Sequence, residues 1–294
     1  MPPYADVSAA IRAALLQRDP RAKVMATRNV ARDWRLGRLP LGFSATMPDE
    51  PGRPPRPELL SPGQMPKRGK AGSERGRIAL WHALGHIEFV AIDLALDMAG
   101  RFGTALPPES AEEFVSDFLA VAADEAIHFA LIDRHLRRLG SFYGALPAHA
   151  GLWSAARETS HDVLARLAVV PMVLEARGLD VTPGTLARVR GAGDQRGAAI
   201  LQRILDDEIR HVRFGAKHFT VLVERTGEDP AELWKSLVAR HFRGMLKPPF
   251  NDSARLAAGL SRDFYAGVVC EKTHGITHAR ETAGGSDHLQ TLRT

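Results

Sequence analysis

The feature that most restricts the fold of this chain is a helical repeat of apolar residues that begins near residue 72. Apolar side chains recur every three to four residues over long segments, and β-branched runs and hairpin turn signals are few. The spacing predicts four long helices at about 71–101, 107–139, 152–177 and 194–226, with a kink at Pro171 in the third. The fold class we expect is therefore all-α.

Shorter elements surround these four helices. A short helix is expected to begin at Thr182-Pro183, before the fourth long helix, and further helices are expected at 229–242 and 252–265. Periodicity is lost after about residue 270. The predicted organisation is a helical bundle at 71–227, C-terminal helices packed on it at 228–267, and a loose tail at 268–294.

The N-terminal part has a different composition. Residues 1–77 hold 15 Lys and Arg against 7 Asp and Glu, and 11 of the 19 prolines. We expect a basic, Pro-rich extension with short helices at 1–70. The basic excess is mostly arginine without interleaved aromatic residues, and this composition favours a solvated arm that wraps its own domain. A basic surface that binds nucleic acid stays the alternative.

Other features restrict the location and the cofactor chemistry. No run approaches the 18 or so uninterrupted apolar residues of a membrane helix; the best, 163–174, is short and contains Arg166. The N-terminus lacks the pattern of a secretory signal, so we expect a cytoplasmic protein that does not cross a membrane. With Cys270 as the single cysteine, any metal must be bound by histidines and carboxylates.

Glu-x-x-His pairs are the main chemical signal, because side chains three residues apart share one face of a helix. From 16 Glu and 12 His, chance predicts fewer than one such pair, and the chain has four. Glu125/His128 and Glu208/His211 lie in the middle of predicted helices, and each extends to Asp-Glu-x-x-His. The other two are discounted, since one opens a helix at 158–161 and one lies in the tail at 271–274.

One further mid-helix glutamate precedes each chosen pair. Glu88 stands 37 residues before Glu125, and Glu175 stands 33 residues before Glu208. A bare carboxylate is costly to bury, so these positions need a partner or a metal. The order Glu, Glu-x-x-His therefore occurs twice along the four helices. His82 and His86 lie on other faces of the helix that carries Glu88, so we expect them to form hydrogen bonds instead.

These six positions resemble the ligand set of the ferritin-like carboxylate proteins, in which four helices supply four glutamates and two histidines to two metal ions. The chain is most similar to an uncharacterised ferritin-like family, through segments 86–97, 124–129 and 172–183, and the likeness covers roughly residues 20–267. The resemblance implies a four-helix bundle and two metal ions, with iron favoured over manganese. The ligands it implies are Glu88, Glu125, His128, Glu175, Glu208 and His211.

The resemblance also extends to residues beside the ligands. In the di-iron oxygenase branch, an aspartate at the position of Asp124 or Asp207 holds a ligand histidine through its other ring nitrogen, and Arg210 is expected in the same network. The function it implies is an O₂-dependent oxidase or monooxygenase acting on a small or apolar organic substrate, with an unidentified electron donor. The alternatives are a ferroxidase, a tRNA-linked hydroxylase and a non-catalytic helical scaffold, and a homodimer is open.

Overall fold

The computed structural model describes residues 4–61, 64–66 and 73–267. Eleven α-helices are found in these ranges, so the all-α prediction is confirmed. They are α1 (Val7–Leu15), α2 (Pro20–Arg35), α3 (Glu74–Phe102), α4 (Pro108–Arg138), α5 (Gly151–Glu158), α6 (Val163–Val169), α7 (Ala176–Gly191), α8 (Gln195–Glu224), α9 (Pro230–His241), α10 (Asp252–Ala257) and α11 (Arg262–Tyr265). Two strands of two residues each, β1 (Leu59–Leu60) and β2 (Ala148–His149), pair in parallel. The predicted loose tail lies outside the described residues.

Three long helices, α3, α4 and α8, closely match the first, second and fourth predicted helices. Side-chain caps fix two of their starts: Ser73 accepts a hydrogen bond from the backbone N–H of Gly76, and Asp194 from that of Gly197. Helix α4 packs against both α3 and α8, and α8 in turn packs against α7. The middle of α4 is therefore enclosed by the other helices.

The third predicted helix is wrong in its bounds. It is divided into α5, α6, a π-helical segment at Val170–Glu175, and α7. The kink predicted at Pro171 takes the form of this π segment, and Gly215 of α8 permits its close approach, since a Cβ there would lie 2.4 Å from the Pro171 ring. Helix α7 does not stop near residue 178 but continues through Pro183. Proline cannot donate to the carbonyl of Leu179, and Asn251 Nδ2 donates to it instead, at 3.1 Å.

The helix expected at 252–265 is also interrupted. Helix α10 ends at Ala257, and α11 begins five residues later at Arg262. Gly259 between them has φ +82°, a left-handed conformation that a continuous helix cannot contain. The helix predicted at 229–242 is present as α9.

The N-terminal segment is more than a solvated arm. Val7, Ile11 and Leu15 of α1 are fully buried in the main hydrophobic core, where α1 packs on α3 and α2 packs on α4. Lys23 of α2 is also fully buried, and its ammonium group bonds to the carboxylate of Asp93 in α3. One of the basic residues of the N-terminal segment, Lys23, is therefore not a surface charge but neutralises Asp93 inside the core.

One described stretch, Glu74–Ala105, is long and apolar enough to cross a membrane by length and composition. Acidic residues interrupt this stretch, so it contains no uninterrupted apolar run of the length of a membrane helix. Within the structure 67% of that window is buried against other parts of the chain. This burial is typical of the core helix of a soluble protein.

Candidate metal centre

Four structural elements carry the six predicted ligand residues. Glu88 lies on α3, Glu125 and His128 on α4, and Glu208 and His211 on α8. Glu175 is the last residue of the π-helical segment. Within α4 and within α8, the spacing of three residues places the glutamate and the histidine on the same face, as predicted.

Two groups of three residues have ligand atoms within 4.8 Å of one another. The first comprises Glu88, Glu125 and His128; the Nδ1 atom of His128 lies 3.3 Å from Glu88 Oε2 and 3.5 Å from Glu125 Oε2. All three side chains are buried. This group could hold one metal ion with two carboxylates and one imidazole.

The second group comprises Glu125, Glu208 and His211. The Nδ1 atom of His211 lies 2.9 Å from Glu125 Oε1 and 3.5 Å from Glu208 Oε2. Glu125 therefore belongs to both groups, with Oε2 toward His128 and Oε1 toward His211. A metal ion held by either group would therefore have Glu125 among its ligands.

Glu175 lies at the edge of this cluster and outside both groups of three. Burial raises the pKa of Glu175 to about 8, and the nearby carboxylate of Glu208 adds to this rise. Its Oε2 atom is buried. The structure thus brings five of the six predicted residues into two groups of three that share Glu125, and it places the sixth close enough to Glu208 for their charges to interact.

The candidate ligand atoms share one property: they are buried and, although His128 and His211 lie 2.9–3.5 Å from the carboxylates, none of these atoms meets the geometry of a hydrogen bond with a described residue. Seven atoms of the six residues are in this state: Glu88 Oε2, Glu125 Oε1 and Oε2, His128 Nδ1, Glu175 Oε2, Glu208 Oε2 and His211 Nδ1. A buried polar atom left unsatisfied costs about 1–3 kcal/mol, so seven of them in one place need a common explanation. A pair of cations would satisfy them all.

Each histidine is held by an aspartate from the opposite helix. The Nε2 atom of His128 lies 3.0 Å from Asp207 Oδ2 on α8, and the Nε2 atom of His211 lies 3.3 Å from Asp124 Oδ2 on α4. An ionised carboxylate only accepts, so Nε2 carries the proton in both rings. In the neutral tautomer, Nδ1 then presents its lone pair to the carboxylate cluster, as a metal ligand requires.

Two arginines complete this arrangement at the surface. Arg210 lies within ion-pair distance of both Asp124 and Asp207, as its predicted place in the network requires. Arg203, which the sequence reading missed, lies 3.5 Å from Asp207. Its position four residues before Asp207 on one helix is the signal that could have identified it.

Without metal, protons balance the charge of the cluster. Burial, followed by the charge of Glu125, raises the pKa of Glu88 well above its ordinary value. Burial opposes protonation of His128, but contacts with Asp207, Glu125 and Glu88 outweigh it and raise the pKa to about 12. Burial also opposes ionisation of Glu125, whose contacts with His128 and His211 nevertheless hold its pKa well below the usual range. Cations entering the cluster would displace these protons.

The remaining histidines near the cluster have other partners. His86 bonds through its two ring nitrogens to the Tyr143 hydroxyl and the His149 carbonyl, and His82 Nε2 accepts from the backbone of Gly144. These contacts confirm their predicted hydrogen-bonding roles. The discounted Glu158 carboxylate pairs with Arg243 at the surface.

Comparison with known proteins identifies a family without identifying a reaction. A family model described as "Protein of unknown function (DUF455)" matches residues 16–266. A protein of Haemophilus influenzae, described as an uncharacterized protein, is 42% identical over 211 residues, which make up 71% of this chain and 73% of that protein. No solved structure matches the chain.

Proposed function

The chain belongs to the family described as "Protein of unknown function (DUF455)", and because that description names no reaction, we propose from the site itself that the protein is a ferritin-like dinuclear metal enzyme. The reaction we propose is the O₂-dependent oxidation or hydroxylation of an organic substrate. The observation that carries the proposal is the cluster of seven buried side-chain atoms without hydrogen-bond partners among the described residues.

The ligand assignment follows from the two groups. Glu88, Glu125 and His128 would hold one ion, and Glu125, Glu208 and His211 the other. Glu175 would complete the second set from the π-helical segment. Four carboxylates offset the charge of two divalent ions, so the filled site is neutral and its burial is no longer costly.

The donor set favours iron or manganese. It contains oxygen and imidazole nitrogen ligands and no thiolate, a combination that suits these metals. When bound, a redox-active pair would pass electrons to O₂, and those electrons come from an external donor in a hydroxylation or from the organic substrate in an oxidation. Asp207 and Asp124 keep the imidazoles in the tautomer that presents Nδ1 inward, and Phe129 and Met172, buried next to ligand-bearing turns, help to exclude water.

Metal content tests the ligand assignment directly. We expect about two iron or manganese ions per chain by plasma mass spectrometry of protein from supplemented cultures. Glu125→Gln removes a ligand from both groups and should lower the content most, whereas His211→Ala leaves the group around His128 and should retain about one ion. His161→Ala is the matched control, because it alters a Glu-x-x-His pair outside the cluster.

The same variants separate metal loss from unfolding. Circular dichroism should show an unchanged helix content in Glu125→Gln and His211→Ala. Wild-type metal content in either folded variant would refute the site.

Oxygen uptake then tests the reaction class. A monooxygenase should consume O₂ only when both a reductant and an organic substrate are present, whereas an oxidase should consume O₂ with the organic substrate alone, because the substrate itself supplies the electrons. Turnover of free Fe(II) without an organic substrate would replace the proposal with a ferroxidase, in which iron itself is the substrate.

A further inference from the structure

A row of arginines follows the exposed face of α2. Arg21, Arg28, Arg32 and Arg35 are all exposed, and at 3.6 residues per turn their directions fall within about 60° of one another. The row extends over roughly 21 Å, given a rise of about 1.5 Å per residue. The basic excess of the N-terminal segment, expected above to be a solvated arm, is therefore concentrated along one line.

Most of these charges are unpaired. Arg21, Arg28 and Arg35 make no hydrogen bond or ion pair with any residue in the described ranges, and Arg32 lies 3.6 Å from the neighbouring Asp33. Arginine favours phosphate because its planar guanidinium donates two parallel hydrogen bonds. The row thus has the chemistry and the free donors that a polyanion requires.

A cleft of about 890 Å³ runs beside the row, between α2 and α4. Arg28, Arg32 and Arg35 form one side, while the lining includes apolar side chains such as Leu41 and Leu119 and the indole of Trp34. Trp34 lies between Arg32 and Arg35 in sequence but on a different face of α2, where its Nε1 donates to Ser116 Oγ of α4 at 2.9 Å. The cleft can take flat apolar groups while the arginines hold negative charge at its edge.

Two acids also line this cleft. Asp124 is already held by Arg210 and His211, so its charge is offset, and Glu112 stands opposite the arginines on α4. A second depression of about 350 Å³ shares Arg28 and Ile127 with the cleft and adds Arg134 and Arg203. The positive lining therefore continues beyond α2.

We propose that this arginine row and cleft bind single-stranded nucleic acid, with phosphates on Arg28, Arg32 and Arg35 and bases in the apolar cleft. The arginines are regularly spaced along one line, and so are the phosphates of a nucleic-acid backbone. The carboxylates on the surface of a folded acidic protein have no such regular spacing. The inference does not depend on metal binding, because no candidate ligand lines the cleft; Asp124, which contacts His211, is the residue that the cleft shares with the network around the metal centre.

The test measures binding of the full-length, metal-loaded protein to fluorescein-labelled 20-nucleotide single strands of RNA and DNA, by fluorescence anisotropy between 50 and 200 mM salt. With Arg28→Gln/Arg32→Gln/Arg35→Gln, three lost phosphate contacts should reduce the slope of log K against log salt by about 2. Affinity at the lowest salt should fall at least tenfold.

The control variant Arg190→Gln/Arg196→Gln/Arg240→Gln removes the same charge from exposed arginines that have no ion pair among the described residues. It should change the affinity less than twofold, and circular dichroism should show both variants folded. Equal weakening by the two triple variants would overturn the proposal, as would the absence of binding by the wild type at 50 mM salt. Displacement of RNA by poly-glutamate as efficiently as by unlabelled RNA would also overturn it and indicate an acidic protein.

Discussion

Glu175→Gln should stabilise the metal-free protein and leave the stability of the metal-loaded protein nearly unchanged. Its carboxyl pKa is raised from 4.5 to about 8, first by burial and then by Glu208. At pH 7 the folded protein must therefore take up a proton that the unfolded chain does not bind. At about 1.36 kcal/mol per pKa unit, this uptake costs at most about 3 kcal/mol at pH 7. A neutral amide avoids the cost.

In EDTA, then, Glu175→Gln should be more stable than the wild type by up to about 3 kcal/mol, which for a chain of 294 residues raises Tm by roughly 5 °C. In saturating Mn(II) the wild type gains about 2.7 kcal/mol per site at a hundredfold excess over Kd. The variant lacks one ligand of the second ion and gains less. Its advantage in Tm should therefore shrink to near zero.

Differential scanning calorimetry at pH 7, with and without metal, measures both values. Glu224→Gln is the control, because Glu224 is exposed on α8 and its replacement should change stability by less than about 0.5 kcal/mol. If Glu175→Gln had a lower Tm than the wild type in EDTA, the free-energy cost that we assign to burying the Glu175 carboxyl group would be refuted. The same rise in Tm with and without metal would refute Glu175 as a ligand.

Three further predictions concern single contacts. Asp207→Asn removes the ionised acceptor of His128 and should weaken Mn(II) affinity about 10- to 100-fold in a chelator competition, while Asp206→Asn, exposed on the same helix, should not change it. Lys23→Ala removes the main cation beside the buried Asp93 and should cost about 3–5 kcal/mol in urea unfolding. Asp6, whose pKa is lowered to about 2 because hydrogen bonds outweigh burial, stabilises the protein above its unfolded pKa near 4; Asp6→Ala should cost about 1–2 kcal/mol at pH 7, a loss that disappears as pH falls toward 2.

The sequence predicts the features whose causes are local. Apolar periodicity located α3, α4 and α8 to within a few residues. The candidate ligands could be identified because an acid in the middle of an apolar helix is costly unless it is paired or bound to a metal. Both arguments use only residues within one helix.

The same argument cannot distinguish a ligand from a structural acid. Asp93 and Asp97 also lie in the apolar middle of α3, yet both are neutralised by buried cations: Asp93 by Lys23 and Asp97 by Arg166, 70 and 69 residues away in sequence. Arg101, four residues after Asp97, is a partner that spacing on one helix could indicate, but only the tertiary structure shows the buried cations Lys23 and Arg166. The glutamates of the cluster are different because their neighbours are one another and two histidines.

Prolines show a similar limit. Pro171 and Pro183 both interrupt helical hydrogen bonding, but the first lies in a π-helical segment and the second within an ordinary α-helix. At Pro183 the carbonyl of Leu179, which loses its helical donor, instead accepts a hydrogen bond from Asn251, 72 residues later in the sequence. A single sequence carries no signal of this distant donor.

The crossed aspartates connect the candidate site to the packing of the fold. His128 on α4 is held by Asp207 on α8, 79 residues away, and His211 on α8 by Asp124 on α4, 87 residues away. Neither helix can orient its own imidazole alone, so both ligand groups form only when α4 and α8 are packed together. Because cations that bind only the folded protein add their binding free energy to its stability, metal at this site would stabilise that helix contact. Packing of α4 on α8 and metal binding are therefore thermodynamically coupled: a change that weakens the helix contact should also lower the metal affinity.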